Sequence, residues 1–428
     1  MMHISKKLVL MALLATLGSA PVASFAADDT AKPNTVKVPA MRSKVYEQLA
    51  RAQKLADEGK ADEAIAALDN VNSKRSSMNS YEIAMMNNFY AFIYYNMERV
   101  PEAIESFEKV VAEEAIPESL RKSTLYSLAQ LHMSQENYQK TIQMMERWVK
   151  AGGDADNTNA MVLKAQAYYQ LKEYENALAE LKQAIKIISD GGETPKESLF
   201  VLQRAIYYSL KDPAAVTDVT ETLVRLFNKP EYWIQLAGLY GEIGLEKKQL
   251  AMMEVAYQQG FITKRSDILT LAQLYVYHQV PYKAAVLLDK AIKEGVVEDS
   301  VKNLQFLAQA YTLSKNDEEA VPVLAKAAEK SEDGNLDAQL GQTYLNMEKY
   351  EEAIAATKRA LEKGNLKDQG TAQLVLGMAY FNLKQFDKSL QALDVAAEHQ
   401  SSKAMATQWK KYVSKEQQNA KAMADISA

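Results

Sequence analysis

Residues 336–361 read LDAQLGQTYLNMEKYEEAIAATKRAL. Two apolar stripes at helical spacing flank a short polar turn at Glu348-Lys349, which is the pattern of a helical hairpin. Within it, Leu340-Gly341 is followed by Tyr344, then by Tyr350, Ala353 and Ala360. The same spacing recurs along the chain. With Gly341 taken as position 8 of its unit, the equivalent residues are Ala52, Ala91, Ala129, Ala165, Arg204, Ala237, Ala272, Ala308 and Gly377, at intervals of 33 to 39 residues. Position 8 is Ala or Gly in nine of ten units, and close approach of two helix axes needs short side chains there. Position 20 (Ala64, Ala103, Ala177, Ala284, Ala320, Ala353, with Ser389) and position 27 (Ala184, Ala256, Ala291, Ala327, Ala360, Ala396) supply the matching small residues on the second helix. Position 11 is tyrosine in eight units, at 94, 168, 207, 240, 275, 311, 344 and 380. Such a ring fills the gap between helices and keeps its hydroxyl near water.

This period and these small-residue positions resemble the tetratricopeptide repeat (TPR) family from about Lys44 to Gln400. Trp233, Leu236, Ala237 and Tyr240 match the family's W-x2-L-G-x2-Y start, with Ala in place of Gly. The resemblance implies an all-α, right-handed superhelical solenoid of about ten hairpins. Isolated hairpins cannot bury their apolar faces, so each must stack on its neighbours. The fit is uneven in unit five, where Arg204 takes the small-residue site, and in unit three, where Trp148 stands at position 27. The joins Ser73–Ser80, Gly152–Thr158 and Asp190–Pro195 account for the longer intervals. After the last repeat, residues 401–419 form a capping helix with Met405, Trp409 and Tyr412 on one face, and residues 420–428 are expected to fray.

The N-terminus reads as an address. Lys6 and Lys7 precede the apolar run Leu8–Leu17, and Ser24 and Ala26 suit a signal-peptidase site, giving cleavage after Ala26. Ten apolar residues are too few for a membrane span, which needs about 20. Residues 1–26 are therefore expected to be a secretory signal peptide and residues 27–43 a flexible polar leader. The solenoid follows at 44–400, and the mature protein is expected in the periplasm.

Composition excludes several function classes. The chain of 428 residues has 50 Lys+Arg against 55 Asp+Glu and no basic block, which argues against nucleic acid as the main ligand. It has no cysteine, hence no disulfide, thiolate metal site or cysteine nucleophile. Four histidines lie far apart in sequence, at 3, 132, 278 and 399. No phosphate-binding glycine loop, H-E-x-x-H or G-x-S-x-G occurs. Gly152-Gly153 and Gly191-Gly192 read as helix C-caps. Acidic pairs such as Glu318-Glu319 and Glu351-Glu352 read as solvated surface, and Met144-Met145 and Met252-Met253 as core filler. No catalytic residue, cofactor or metal is expected, and the chain is not read as an enzyme.

In the architecture that the resemblance implies, first helices line a concave groove through positions 2, 5, 9, 12 and 13. Position 9 is glutamine in six units, at Gln53, Gln130, Gln166, Gln273, Gln309 and Gln342. Position 12 gives Tyr95, Tyr169, Tyr208 and Phe381, and position 13 gives Asn96, Ser134, Gln170, Asn346 and Asn382. Primary amides both donate to and accept from a peptide backbone, and the rings add contact area. This set suits an extended or helical protein segment; the alternative is a polar face that only keeps the inner surface soluble. The stretches 41–59 (MRSKVYEQLARAQKLADEG), 80–95 (SYEIAMMNNFYAFIYY), 118–131 (ESLRKSTLYSLAQL) and 229–244 (KPEYWIQLAGLYGEIG) resemble exported TPR proteins linked to TonB–ExbB–ExbD systems of Gram-negative bacteria. That resemblance implies a periplasmic accessory scaffold for TonB-dependent uptake, with TonB-system components as partners. A TPR coordinator of outer-membrane assembly or cell-wall synthesis is the alternative.

Overall fold

Between its turn signals the chain is rich in Ala, Leu, Glu, Lys and Gln, residues that lose little side-chain freedom in a helix. The computed structural model describes residues 37–427, which form twenty-one α-helices and one short 3-10 turn at Arg75–Ser77, with no β-strand among the described residues. The signal-peptide segment 1–26 and most of the leader lie outside the described residues. Twenty helices come as the ten expected pairs, and one more follows the last pair.

The chain divides into two compact units at the turn between residues 173 and 174. The first unit holds α1 (Ser43–Asp57), α2 (Ala61–Asn72), α3 (Ser80–Asn96), α4 (Val100–Ala112), α5 (Glu118–Ser134), α6 (Tyr138–Lys150) and α7 (Thr158–Gln170). The second opens with α8 (Tyr174–Asp190), α9 (Glu197–Ser209), α10 (Pro213–Phe227), α11 (Pro230–Glu242), α12 (Glu246–Gln258), α13 (Arg265–Tyr277) and α14 (Pro281–Lys293). It continues with α15 (Val301–Leu313), α16 (Asp317–Glu329), α17 (Asn335–Asn346), α18 (Tyr350–Lys363), α19 (Gln369–Asn382), α20 (Phe386–Glu398) and α21 (Lys403–Ser427). In each unit successive helices pack antiparallel, and each hairpin packs on the next. Buried clusters follow one another along the stacks: around Leu49, Leu68 and Met86, then Phe107, Leu128 and Met145 in the first unit. In the second they centre on Leu223 and Leu236, on Leu271 and Leu288, on Leu324 and Leu340, and on Leu393 and Val413.

Every first helix ends the same way. Position 15 has positive φ in all ten pairs, yet only Gly59 and Gly244 are glycines; the others include Glu98, Lys315 and Glu348. The N–H of position 16 bonds the carbonyl of position 11, as Lys349 does to Tyr344 at 2.9 Å. This 6→1 cap satisfies the orphan carbonyls of the helix end and fixes a two-residue turn. A left-handed non-glycine residue costs about 1 kcal/mol, so the recurrence shows that hairpin packing dictates the turn.

The two sequence exceptions have physical accounts. Arg204 is the eighth residue of the thirteen-residue α9, as Ala237 is of α11 and Ala272 of α13, so the repeat register holds in unit five. Its guanidinium leaves the helix contact, donating to Gln235 Oε1 at 2.6 Å and lying over the Tyr232 ring. Trp148 is buried, and its indole lies against Gly153, where a Cβ would come within 2.4 Å of the ring. Glycine in the join is what lets a large ring occupy a small-residue position.

The ends of the stack differ from expectation. Residues 37–42 have no regular element, but Arg42 is fastened to α3: its backbone N–H donates to Glu82 Oε1 at 2.9 Å, and its guanidinium donates to both carboxylate oxygens. Glu82 is fully buried and also closes a capping box with Asn79. At the other end, α21 stays helical through the stretch expected to fray. Residues 420–427 contain good helix formers and no breaker. The cap packs through Ala406, Trp409 and Val413, whereas Met405 is exposed and Tyr412 half-exposed at the edge.

Two expectations follow. A Cβ on Gly341 would lie 2.3 Å from Thr357 Oγ1 and 3.3 Å from the Ala353 carbonyl. Gly341→Ala should cost about 1–3 kcal/mol, and adding Thr357→Ala should recover part of that loss. Urea unfolding with hydrogen exchange on α17 and α18 reads both, and an unaltered Gly341→Ala protein would contradict the close-packing account. The second concerns acid. Four hydrogen bonds, three of them from Arg42, hold the Glu82 carboxyl at about 2. A depressed carboxyl contributes stability above its unfolded value near 4.5 and loses it as pH falls toward 2. Arg42→Ala should therefore destabilise α1–α3 at neutral pH and flatten the acid limb of the melting profile. Equal acid sensitivity in both proteins would show that other carboxylates control it.

Candidate functional site

First helices of successive hairpins touch one another, α1 with α3 and α5 with α7 in the first unit, α17 with α19 in the second. Positions 9, 12 and 13 lie on these first helices. In the first unit the amides are partly engaged. Gln53, half-buried, donates from Nε2 to Asp57 Oδ1 at 2.8 Å. Gln130 and Gln166 are half-buried, as are Tyr95 and Tyr169, while Asn96 is exposed. Tyr95 packs against the cluster around Phe107 and Leu128, so only part of its ring is free.

The second unit is more open. Gln273 on α13 and Gln309 on α15 are exposed, and Gln342 on α17 donates to Asn346 Oδ1 at 2.9 Å. Tyr208 on α9 is 77% exposed. Asn382 is exposed and donates back to the Met378 carbonyl at 2.9 Å. Phe381 is a correction: it is 9% exposed, packed against Phe386, Trp409 and Tyr412, with Lys384 over its ring. The cap covers this position, so Phe381 belongs to the terminal core.

Three exposed apolar residues at inner positions escaped the sequence reading. They are Tyr46 at position 2, Tyr277 at position 13 (64% exposed) and Leu313 at position 13. Tyr277 stands one turn after Gln273 and Leu313 one turn after Gln309, so each helix offers an amide beside an apolar side chain. The signal lies in the sequence, where position 13 carries Tyr277 and Leu313 in two successive units whose neighbours hold polar residues there. The few charges at inner positions are Asp57, Glu231, Glu242 and Lys302.

The position-11 tyrosines proved to be more than spacers. Tyr240 donates its hydroxyl to Glu221 at 2.6 Å, and Tyr275 hydrogen-bonds Glu254. In the second hairpin the role falls to Tyr90, which stacks on Tyr94 and donates to Asp69 at 2.5 Å. Each acceptor is position 25 of the preceding hairpin, so the bond crosses the seam between hairpins. Lysine at position 19 completes the set: Lys248 lies over Tyr240, and Lys283 lies over Tyr275 and pairs with Glu254. Burial and the nearby carboxylate push the Tyr275 hydroxyl up to about 12. Farther on, buried Asp337 pairs with Arg359 at 3.0 Å and Lys363 at 2.8 Å, and Lys363 reaches back to the Ala328 carbonyl. The seams thus hold paired charges, and few charges stand at positions 2, 5, 9, 12 and 13 of the first helices.

Among the described residues no group of three or more His, Asp or Glu side chains could hold a metal ion. No described helix is long and apolar enough to cross a membrane.

Two family models match. Residues 96–184 match the one described as anaphase-promoting complex, cyclosome, subunit 3, and residues 339–404 match the tetratricopeptide repeat. No sequence among curated proteins matches the chain. Among solved structures it is similar to YrrB, described as a TPR protein with an unusual peptide-binding site, at 20% identity over 45% of this chain and 97% of that one, TM-score 0.36. It is also similar to a tetratricopeptide repeat protein from Parabacteroides merdae ATCC 43184, at 14% identity over 70% of this chain and 99% of that one, TM-score 0.30. A third is the TPR domain of P58(IPK), at 16% identity over 80% and 99%, TM-score 0.24. The repeat read from position 8 and position 11 is thus matched as a tetratricopeptide repeat in residues 339–404, within a fold that keeps the same hairpin, turn and register in the units before it.

Proposed function

We propose that this protein is an exported, periplasmic, non-enzymatic scaffold that binds a protein segment along its inner helices, as an accessory component of a TonB-dependent energy-transduction and uptake system. The observation that carries the binding role is the set of exposed amides and apolar side chains on α9, α13 and α15, which includes Tyr208, Gln273, Tyr277, Gln309 and Leu313. A peptide backbone presents a donor and an acceptor at nearly every residue. A primary amide answers both, while tyrosine adds rigid contact area with a polar tip. The signal-like N-terminus supports export. The four stretches that resemble TonB-linked TPR proteins support the choice of partner.

Replacing Gln273, Gln309 and Gln342 together with alanine keeps good helix formers and should leave folding nearly unchanged. Binding to a TonB-system segment should weaken by roughly 0.5–1.5 kcal/mol per lost hydrogen bond, with little dependence on salt because the contacts are uncharged. Titration of wild type and triple mutant against the periplasmic segments at low and high salt measures this. Unchanged affinity in the triple mutant would reduce the row to a solubilising face, and collapse in modest salt would move the site to a charged surface.

Export has its own measurement. The mature chain should begin at Ala27 and fractionate with soluble periplasmic proteins. Intact mass showing residues 1–26 retained would overturn it.

A further inference from the structure

His132 occupies position 11 of the third hairpin, where eight other hairpins carry tyrosine. The substitution changes the chemistry of the seam. Tyr240 is long enough to place its hydroxyl 2.6 Å from Glu221. The imidazole is shorter, and Nε2 stops 3.9 Å from Glu108 Oε1, outside hydrogen-bond range. His132 is 1% exposed, and neither ring nitrogen has a hydrogen-bond partner. A buried polar group left unpaired has given up its water without a replacement, so this ring sits in the core at a standing cost.

The charges around it are few. Glu108 on α4 and Lys140 on α6 act on the ring, and they lie 3.8 Å from each other. Glu108 is half-exposed, so water and Lys140 both share its charge. Of the other nearby elements, α7 carries one charged residue, Lys164, and α3 carries one, Glu82, already held by Arg42; neither is among the charges acting on His132. Glu136 lies in the turn between α5 and α6. Burial and Lys140 hold the imidazole below its usual range, with Glu108 opposing them.

We propose that His132 is an acid-sensitive latch in the seam between the second and third hairpins, whose protonation loosens α5 and α6 from α4 and opens the cluster around Phe107, Leu128 and Met145. The direction follows from linkage. The packed seam holds the ring neutral, while the opened seam lets it take up a proton near 6.5. Between these values the open form binds more protons, so the seam is firm above about pH 6.5 and weakens as pH falls below it. The inference goes beyond segment binding and does not depend on it. It also differs from the Glu82 effect, which acts only at far lower pH.

Hydrogen exchange on the full chain at about pH 7.5 and 5.5, each corrected for intrinsic exchange, reads the latch directly. Protection in residues 118–150 should fall at the lower pH, while α13–α16 keep theirs. His132→Tyr restores the residue found at the other seams and should keep protection at both pH values. Equal protection of wild type at the two pH values would overturn the proposal, as would an increase at acid pH, which would mean that a charged His132–Glu108 pair closes the seam. The same pH-dependent loss in His132→Tyr would assign the effect to another group. Should that variant fail to fold, NMR titration of the wild-type ring decides: proton uptake below the ordinary histidine range supports the latch, and uptake above it overturns it.

Discussion

The closeness of two helices at position 8 governs each hairpin. Gly341 lies against Thr357 and the Ala353 carbonyl with no room for a Cβ, and Gly377 lies equally close to Leu393. Helices that approach so nearly bury long stretches of each other and leave little freedom in crossing angle. The turn must then reverse the chain in two residues. That demand puts position 15 into the left-handed region even where the residue is Glu, Lys or Gln. Local backbone strain at eight turns is thus a consequence of packing elsewhere.

Position 11 links the hairpin to the one before it. Its carbonyl closes the helix cap, and its side chain crosses the seam to an acid on the preceding hairpin, as in Tyr240 with Glu221. One residue therefore couples the end of a helix to the stacking of two hairpins. Lysine at position 19 sits over the same ring in three places, at Tyr240, Tyr275 and Tyr380, and at the third hairpin Lys140 pairs instead with Glu108. The seam is a small polar network wrapped around an aromatic ring, and such networks are strong when complete and weak when one member is missing. At His132 the member is present but too short to reach its acid.

The fold was legible because its rule is written in residue size, and size repeats: Ala or Gly at position 8, Ala at 20 and 27. Arg204 and Trp148 broke that rule in the sequence, and the structure accommodates them with a guanidinium turned toward α11 and a glycine under an indole. The candidate site was half legible. Glutamines at position 9 were found by counting, but whether an amide is free or spoken for depends on neighbours, as Gln53 with Asp57 and Gln342 with Asn346 show. Phe381 was misplaced because a cap helix covers it, and no repeat rule describes a cap. The seam acids were missed for a different reason. Asp69, Glu108, Glu221, Glu254 and Asp289 share position 25, yet acids on a second helix read as solvated surface until the next hairpin is laid against them.

Charge and exposure are distributed differently at the first-helix positions of the two units. The acids at position 25 lie on second helices, where Glu221 accepts from Tyr240 and Glu254 pairs with Lys283. What remains inside is set by positions 9, 12 and 13, which do not carry the packing and so are free to differ between units. In the first unit these positions hold half-buried amides and rings that lean on their own cluster. In the second, Tyr208, Gln273, Tyr277, Gln309 and Leu313 stand clear of it. Exposed apolar area is costly to keep in water, and a docked segment would cover it. The same reasoning weakens the case for the first unit, where most of that surface is already covered by the fold itself.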